Sequence, residues 1–409
     1  MKKSFLKWFC CFVPLGFLAC AGNKPATDTT VLEQAKTETI KKVHELIAEK
    51  KYESAFVLLD SIDSQNSQPD IVLLKEDIAL NYFVTSFMHQ AFAFKDIAPN
   101  EDIMDYRGTD GSYKLHLFQV DSILENLIKI EPDNCKLYKG LGDFYSDVYS
   151  KYTDRWLKND SELFTLIQTN VQKAIDGNCA DYQSYYDLGF INLVQEKYKE
   201  SIPYFLKSIE MNNERAVSHY NLAYAYLYAD DHQNALKYAK NALEIYTDLE
   251  LKGDAARMLG QIYKELKDTL NAVESYELAN KIEPENYYTI KALLRLYVKT
   301  SNKKAEEITN VFFNLAPENP AIYNDLEDIF YESEKENDLI AFFKSQLSVF
   351  KDNDIVQGLL NFYLGKIYLE TDKKVAQKYF LESKENVGKI LDKDHPMLIS
   401  IEEGIKRCE

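Results

Sequence analysis

Small and aromatic residues recur in the middle of the chain at a fixed spacing. Over residues 181–284 one order of aromatic, leucine and small positions occurs three times in succession. Gly189 of the first copy and Ala223 of the second are 34 residues apart. The third copy follows at an offset of 37 residues, with Gly260 in the place of Ala223. This spacing predicts one helical hairpin per copy, two antiparallel helices joined by a turn.

The recurring small residues have a physical role in this prediction. A Gly or Ala at the eighth place lets the first helix approach the second, and small residues near the twentieth and twenty-seventh places do so from the other side. One hairpin cannot bury its apolar side alone, so the copies must stack. A 34-residue period of this kind resembles the tetratricopeptide repeat. The resemblance implies an all-α fold, a tetratricopeptide-type α-solenoid of about nine helical hairpins in a right-handed superhelix.

The segments around these copies are interpreted by the same pattern. Residues 31–130 are predicted to form divergent helical hairpins, residues 131–394 the tetratricopeptide repeats, and residues 395–409 a capping helix with a polar outer side. In the N-terminal part, we expect one long helix over residues 70–96 and its partner over residues 113–130. No stretch of the chain has a strand pattern.

A repeated turn motif supports the helix boundaries. Glu-Pro-x-Asn occurs at residues 131–134 and 283–286, and the related Ala-Pro-Glu-Asn at residues 316–319. Proline disfavours continuation of the preceding helix, and asparagine is a preferred first cap of the next one. The motif therefore predicts a helix end and a helix start at each of the three places.

The N-terminus has the composition of a targeting segment. Residues 1–19 combine a basic start with a short apolar run, which is typical of a signal peptide. The sequence Phe-Leu-Ala-Cys that ends at Cys20 resembles a bacterial lipobox. The resemblance implies cleavage before Cys20, lipidation of that cysteine, and a flexible tether over residues 20–30. An ordinary secretory signal with a chance cysteine is the alternative. The expected location is the bacterial cell envelope, at the outer membrane, with the face left open.

Charge and cysteine content exclude several classes of protein. The formal net charge is −17, which disfavours nucleic-acid binding because that needs a basic surface. Outside the leader only Cys135, Cys179 and Cys408 remain, too few for a disulfide framework or a zinc site. A bridge between Cys135 and Cys179 and two separate thiols are both compatible with the sequence, and thiols are the simpler interpretation.

The sequence contains no pattern that indicates catalysis. It has no glycine-rich phosphate loop, no HExxH and no G-x-S-x-G. The six histidines are dispersed, and His219 occupies a packing position, so a core histidine is expected there. We therefore predict a protein that is not an enzyme and that needs no cofactor and no metal.

The candidate binding residues follow from the resemblance. In tetratricopeptide repeats the first helix of each hairpin lines the concave side of the array. The residues at the corresponding places change from aromatic to basic along the chain: Tyr186, Phe190, Tyr220, Asn221, Tyr224 and Tyr228, then Arg257, Lys264, Lys291, Arg295 and Lys299. One interpretation is a groove for a peptide with aromatic or apolar anchors and an acidic portion. The other is that the tyrosines pack on one another and the basic residues balance nearby acids.

These observations predict a membrane-anchored scaffold for protein–protein interaction. Its partner would be a protein or peptide, and its membrane contact the lipid on Cys20. Two alternatives remain open. A carbohydrate-binding lipoprotein would present exposed Trp and Tyr platforms, and outside the leader the chain has one tryptophan, Trp156. A sensor or regulatory component of an envelope signalling system would need an output element, which the sequence does not show.

Overall fold

The computed structural model describes residues 27–109, 111–392 and 394–409. The predicted signal peptide and the predicted lipidation site Cys20 lie outside these residues. The described chain forms nineteen α-helices and one three-stranded sheet. It divides into two compact units, unit 1 up to Leu163 and unit 2 from Phe164 onwards. The helical class predicted from the sequence is confirmed, with the sheet as an exception.

Unit 1 combines helices with the small sheet. Its helices are α1 (Thr27–Ala48), α2 (Tyr52–Ile62), α3 (Pro69–Asn81), α4 (Val120–Ile130) and α5 (Cys135–Tyr152), and α6 (Asp160–Asp176) spans the boundary to unit 2. The strands are β1 (Thr85–Phe87), β2 (Ala91–Ala93) and β3 (Leu115–Leu117), antiparallel in the order β1-β2-β3. A short 3-10 helix (Ile103–Tyr106) lies between β2 and β3. In the register, Ser86 pairs with Phe92 and Phe92 with His116.

The expected long helix over residues 70–96 is wrong. Helix α3 ends at Asn81, and a β-hairpin follows. Aromatic and β-branched residues between 82 and 94 favour strands, and this preference prevails over the helix that the sequence predicts there. Residues 88–90 connect the paired Phe87 and Ala91. Met88 and His89 in this turn both have positive φ, 50° and 52°, without the Asn-Gly sequence that usually signals a hairpin turn. The expected partner helix over 113–130 is likewise shorter, because residues 115–117 form β3 and α4 starts at Val120.

Unit 2 is a series of six helical hairpins. Each pairs a first helix with a second: α7 (Tyr182–Val194) with α8 (Tyr198–Met211), α9 (Ala216–Tyr228) with α10 (His232–Ile245), α11 (Leu249–Glu265) with α12 (Thr269–Ile282), α13 (Tyr287–Lys299) with α14 (Ala305–Asn314), α15 (Pro320–Tyr331) with α16 (Glu336–Val349), and α17 (Asp354–Tyr368) with α18 (Lys373–Val387). Helix α19 (Pro396–Cys408) packs on α18 and ends the chain. Second helices also contact the next first helix, and several neighbouring first helices contact each other, so the hairpins stack as predicted.

The small positions allow the two helices of a hairpin to approach. A Cβ added to Gly189 would lie 2.8 Å from the ring of Phe205, and one added to Gly260 would lie 2.7 Å from the ring of Tyr276. In the hairpin between them the matching pair is Ala223 and Ala239, both fully buried. The first and third hairpins therefore pair a glycine with an aromatic ring, whereas the second pairs two alanines. In each case the two side chains together are small enough for the helices to pack closely.

The turn motifs act as caps in the way the sequence predicts. Asn134 accepts a hydrogen bond from the backbone N–H of Lys136, Asn286 from Tyr288 and Thr289, and Asn319 from Ala321. Side-chain oxygens at this position satisfy backbone donors that the first helical turn leaves unpaired. Three predicted helix starts are thereby confirmed.

The expectation on the cysteines has a definite outcome. Cys135 and Cys179 are each disulfide-bonded, which corrects the simpler interpretation of two thiols, and Cys408 is a free cysteine. Over the residues that the structure covers, none of the helices has the length and apolar character needed to span a bilayer.

Candidate functional site

The predicted aromatic residues lie on first helices of neighbouring repeats. Tyr186 and Phe190 of α7 stack with ring centroids 5.9 Å apart. Asn221 of α9, which is only 9% exposed, donates a hydrogen bond of 3.0 Å from Nδ2 to the Tyr186 hydroxyl. Arg215, just before α9, places its guanidinium 4.1 Å from the Tyr186 ring centroid. Tyr186 and Asn221 thus join two repeats, and the pKa of Tyr186 is raised to about 12, chiefly by burial.

Three tyrosines form a compact group at the C-terminal end of α9. We call Tyr198, Tyr224 and Tyr228 the tyrosine cluster. The ring centroids of Tyr224 and Tyr228 are 4.5 Å apart, those of Tyr198 and Tyr228 are 5.1 Å apart and stacked, and those of Tyr198 and Tyr224 are 6.3 Å apart. Tyr228 is 45% exposed, so the group has an accessible aromatic surface. Burial, and after it the neighbouring Tyr228 hydroxyl, raises the pKa of Tyr224.

Tyr220 lies one turn before the tyrosine cluster and faces inward. Its ring is 6.3 Å from that of Tyr246, the residue that follows α10, in an edge-to-face arrangement. Burial, opposed by Arg257 and aided by Asp254, raises the pKa of Tyr220 to about 12. Tyr220 is therefore a packing residue between repeats, with less free surface than Tyr228.

The predicted basic residues are mostly paired with acids of the same unit. Arg257 of α11 contacts Asp254 and forms an ion pair of 2.6 Å with Glu283, and its side chain is only 16% exposed. The hydrogen bond from Arg257, followed by one from Asn286, lowers the pKa of Glu283. The guanidinium is thus held between two carboxylates.

The basic residues further along the chain are also largely paired. Lys291 of α13 lies 2.5 Å from Asp325 of α15, and Arg295 lies 2.5 Å from Glu332. Lys264 is exposed and 3.6 Å from its neighbour Glu265. Lys299 is exposed, and among the described residues no carboxylate forms an ion pair with it. Most of the expected basic residues therefore form ion pairs within or between repeats, and they do not make up a free cationic surface.

Sequence reasoning missed three residues of this surface. Tyr198, Arg215 and Tyr246 all lie in or beside the turns between helices, whereas the sequence search considered first helices alone. Tyr198 begins α8, Arg215 precedes α9 and Tyr246 follows α10. All three lie at helix ends that adjoin a neighbouring repeat, and this position is the sequence feature by which they could have been predicted.

The histidines give one confirmed prediction and one unforeseen cluster. His219 is buried, with Nε2 2.9 Å from the carbonyl oxygen of Asn213, and is a core histidine as predicted. In unit 1, His89 is fully buried, with Nε2 2.7 Å from Asp147 Oδ2. Its Nδ1 lies 2.9 Å from the Tyr152 hydroxyl and 3.0 Å from Ser86 Oγ. These contacts connect the β-hairpin turn to α5. Because the imidazole is buried, a substrate cannot reach it.

In the part of the chain that the structure describes, no group of three or more His, Cys, Asp and Glu residues is placed to hold a metal ion. The surface of α7, α9 and α11, on which the ring of Tyr228 is accessible, is the candidate site.

Comparison with known proteins agrees with this architecture. The family profile described as "Tetratricopeptide repeat" matches residues 182–215, 216–248 and 258–286, which are the three copies recognised from their spacing. No curated protein sequence matches the chain significantly. The chain thus contains tetratricopeptide repeats, a fold that serves as a scaffold for protein–protein interaction.

Solved structures similar to this chain are distant repeat proteins. A tetratricopeptide repeat protein from Parabacteroides merdae is 16% identical, with 66% of this chain and 98% of that chain covered and a TM-score of 0.41. The C-terminal part of a repeat protein from Cytophaga hutchinsonii is 13% identical, with 69% and 93% covered and a TM-score of 0.43. PilF of Pseudomonas aeruginosa is 12% identical, with 54% and 96% covered and a TM-score of 0.40. At this distance no partner or location is carried over from them.

Proposed function

We propose that this protein is a lipid-anchored scaffold of the bacterial cell envelope that binds a protein or peptide partner on the surface of α7, α9 and α11. The tetratricopeptide repeats support the general role. The observation that carries the location of the site is the tyrosine cluster, whose rings converge from two repeats and stay accessible. Accessible aromatic groups of this kind supply much of the binding energy at protein interfaces.

The ion pairs revise the chemistry first expected of the partner. An acidic segment bound at Arg257 or Lys291 would have to displace Glu283 or Asp325 from contacts of 2.6 and 2.5 Å. Removing one member of a well-formed pair leaves the other uncompensated, which is costly where the group is partly buried. The aromatic part of the surface is consequently the better candidate, and of the five predicted basic site residues Lys264 and Lys299 are the exposed ones.

Photo-crosslinking tests the location of the site. Tyr228 and Tyr331 are each the last residue of a first helix, α9 and α15, and are 45% and 44% exposed. Replacing either by p-benzoylphenylalanine in cells, followed by irradiation and mass spectrometry of envelope fractions, compares two equally accessible positions. We expect a protein adduct at position 228 and little at position 331. Equal yields at both positions would contradict the site.

The anchor is tested separately. Acyl chains on Cys20 would bind the membrane because each buried methylene contributes ~0.8 kcal/mol. We expect Cys20→Ser to release the protein into the soluble fraction, measured by fractionation and immunoblotting. Cys11→Ser, in the same leader, is the matched control and should leave the distribution unchanged. Membrane retention of the Cys20→Ser protein would rule out the anchor.

The carbohydrate-binding alternative loses its strongest candidate residue. Trp156 is 7% exposed, packs edge-to-face on Phe144 and Tyr145, and donates from Nε1 to the carbonyl oxygen of Met88 at 2.7 Å. A ring packed in this way presents no free face to a sugar. No observation on the described residues favours the sensor alternative.

A further inference from the structure

We propose that the tyrosine cluster of Tyr198, Tyr224 and Tyr228 receives a cationic side chain, Lys or Arg, of the partner. This inference rests on the proposed function and specifies the chemistry of its site. It departs from the acidic partner segment that the sequence suggested.

The cluster brings three tyrosine rings together around the half-exposed side chain of Tyr228. Tyr228 is flanked by both other rings, at 4.5 and 5.1 Å between centroids, so three π-systems converge on one place. Aromatic faces carry negative electrostatic potential and attract ammonium and guanidinium groups within about 6 Å of the ring centroid. Desolvation, and after it the charge of Glu196, raises the pKa of Tyr198. The raised pKa values of Tyr198 and Tyr224 keep these two hydroxyls protonated at neutral pH, so their rings are neutral π-donors.

Other tyrosines of unit 2 already hold a cation of the chain itself. Arg215 lies 4.1 Å from the ring centroid of Tyr186, Lys366 4.5 Å from that of Tyr363, and Lys344 5.2 Å from that of Tyr368. Similar contacts, at 4.9 to 5.9 Å, occur at Tyr238, Tyr263, Tyr287 and Tyr297. Among the described residues, no Lys or Arg lies over Tyr198, Tyr224 or Tyr228. The cluster is thus the largest group of tyrosines in this surface without an internal cation.

The charges around the cluster favour a basic occupant. Glu196, exposed in the turn between α7 and α8, precedes Tyr198 by two residues, and Asp230 and Asp231 follow Tyr228. Lys197 points to the side-chain oxygen of Gln195, 2.8 Å away, and Lys199 is exposed. The chain as a whole carries −17. A basic partner would be attracted over a distance comparable with the Debye length, whereas an acidic one would be repelled.

Titration with matched peptides tests the charge requirement. The probes are acetyl-Gly-Arg-Gly-Arg-Gly-amide and its citrulline counterpart, which keeps the shape of arginine without the charge. Binding to the full-length protein is followed by NMR of tyrosine ring signals at fixed salt. We expect the arginine peptide to bind roughly fivefold more weakly to Tyr228→Leu than to the wild type, and the citrulline peptide to show no such difference.

Further variants separate the cluster from general attraction by the acidic chain. Tyr331→Leu removes an equally exposed tyrosine elsewhere and should leave binding unchanged. Tyr228→Phe keeps the ring and should bind within about twofold of the wild type, and Tyr198→Leu should reproduce the loss from the other helix. Circular dichroism checks that each variant is folded.

The peptide titration can fail without contradicting the proposed scaffold function. Equal binding of the arginine peptide to wild type, Tyr228→Leu and Tyr198→Leu would overturn the cation receptor. Binding of the citrulline peptide as tight as that of the arginine peptide would also overturn it, because the cluster would then be an apolar anchor site. A crosslinked partner at position 228 together with either result would leave the scaffold function standing and remove only its cationic specificity.

Discussion

The aromatic half and the basic half of the first-helix surface differ in how accessible their side chains are to a partner. On α9 the aromatic side chains cluster and keep accessible faces, with Tyr228 almost half exposed. On α11 and α13 the basic side chains Arg257 and Lys291 are held by carboxylates of the same or the next repeat. Both sets occupy corresponding places of the repeat. The difference teaches that the repeat position fixes which side a residue faces, while its neighbours decide whether it remains available to a partner.

The largest expected effect is loss of stability in the basic half. Arg257→Ala removes the cation shared by Asp254 and Glu283 and leaves both carboxylates uncompensated. We expect a loss of roughly 2 kcal/mol, reduced from the fully buried case by the partial exposure of the acids, measured by urea unfolding. Lys299→Ala, an exposed control, should change stability by less than about 0.5 kcal/mol. An unchanged stability for Arg257→Ala would show that this half is free for a partner after all.

The next effect is on partner capture in the aromatic half. Tyr224→Ala together with Tyr228→Ala should reduce crosslinking or co-purification of the partner about tenfold, because two aromatic anchors are removed. The fold should persist, since Tyr228 is exposed and both residues lie at the end of α9. Circular dichroism and the thermal midpoint check the fold. Undiminished capture by a folded double variant would show that the aromatic half is not the site.

The pH dependence of stability should differ between the two halves: the aromatic half loses stability at high pH and the basic half at low pH. Tyr186 and Tyr220 have folded-state pKa values raised to about 12, above the unfolded value of about 10. Their contribution to stability is full below pH ~10 and is lost as the pH rises towards 12.

The pKa of Glu283 is lowered by Arg257 and Asn286. Its contribution is therefore present above the unfolded pKa and is lost as the pH falls through the folded one. The thermal midpoint of Tyr186→Phe should fall less above pH 10 than that of the wild type, and that of Glu283→Gln less below pH 4.5. A variant that follows the wild-type curve would disprove its assignment.

The smallest effect is expected from reversing the exposed basic charges. Lys264→Glu with Lys299→Glu should change partner capture by less than about twofold, because both side chains are exposed and exposed charge pairs contribute little. Capture yield at low and at physiological salt is the measurement. A tenfold loss that disappears at high salt would instead identify these two lysines as part of the site.

Local chemistry explains which elements were predictable. The 34-residue spacing, the small positions and the Asn caps identified the hairpins of unit 2, because these features act between residues close in sequence. The β-hairpin of unit 1 was missed because its turn, Met88–His89, has no turn signature and is held by Asp147 and Tyr152 from a distant helix. Tertiary contacts there override the local preference.

The candidate site shows the same limit in another form. Sequence placed Tyr186, Tyr220, Tyr224 and Tyr228 on first helices correctly, since four-residue spacing puts side chains on one side of a helix. It could not tell that Tyr220 packs inward against Tyr246 whereas Tyr228 stays accessible. Nor could it add Tyr198, which reaches the cluster from the start of α8.

The sequence by itself determined the repeat class, the helix starts after Asn286 and Asn319 of unit 2, and the acidic character of the chain. Each of these depends on periodicity, caps or composition, which are properties of the chain read in order. Only the tertiary structure decided that Arg257 forms an ion pair with Glu283. It also decided that three tyrosines with no Lys or Arg over their rings meet at the end of α9. Ion pairing and ring packing depend on distances between side chains from different helices, and those distances exist only once the hairpins have stacked.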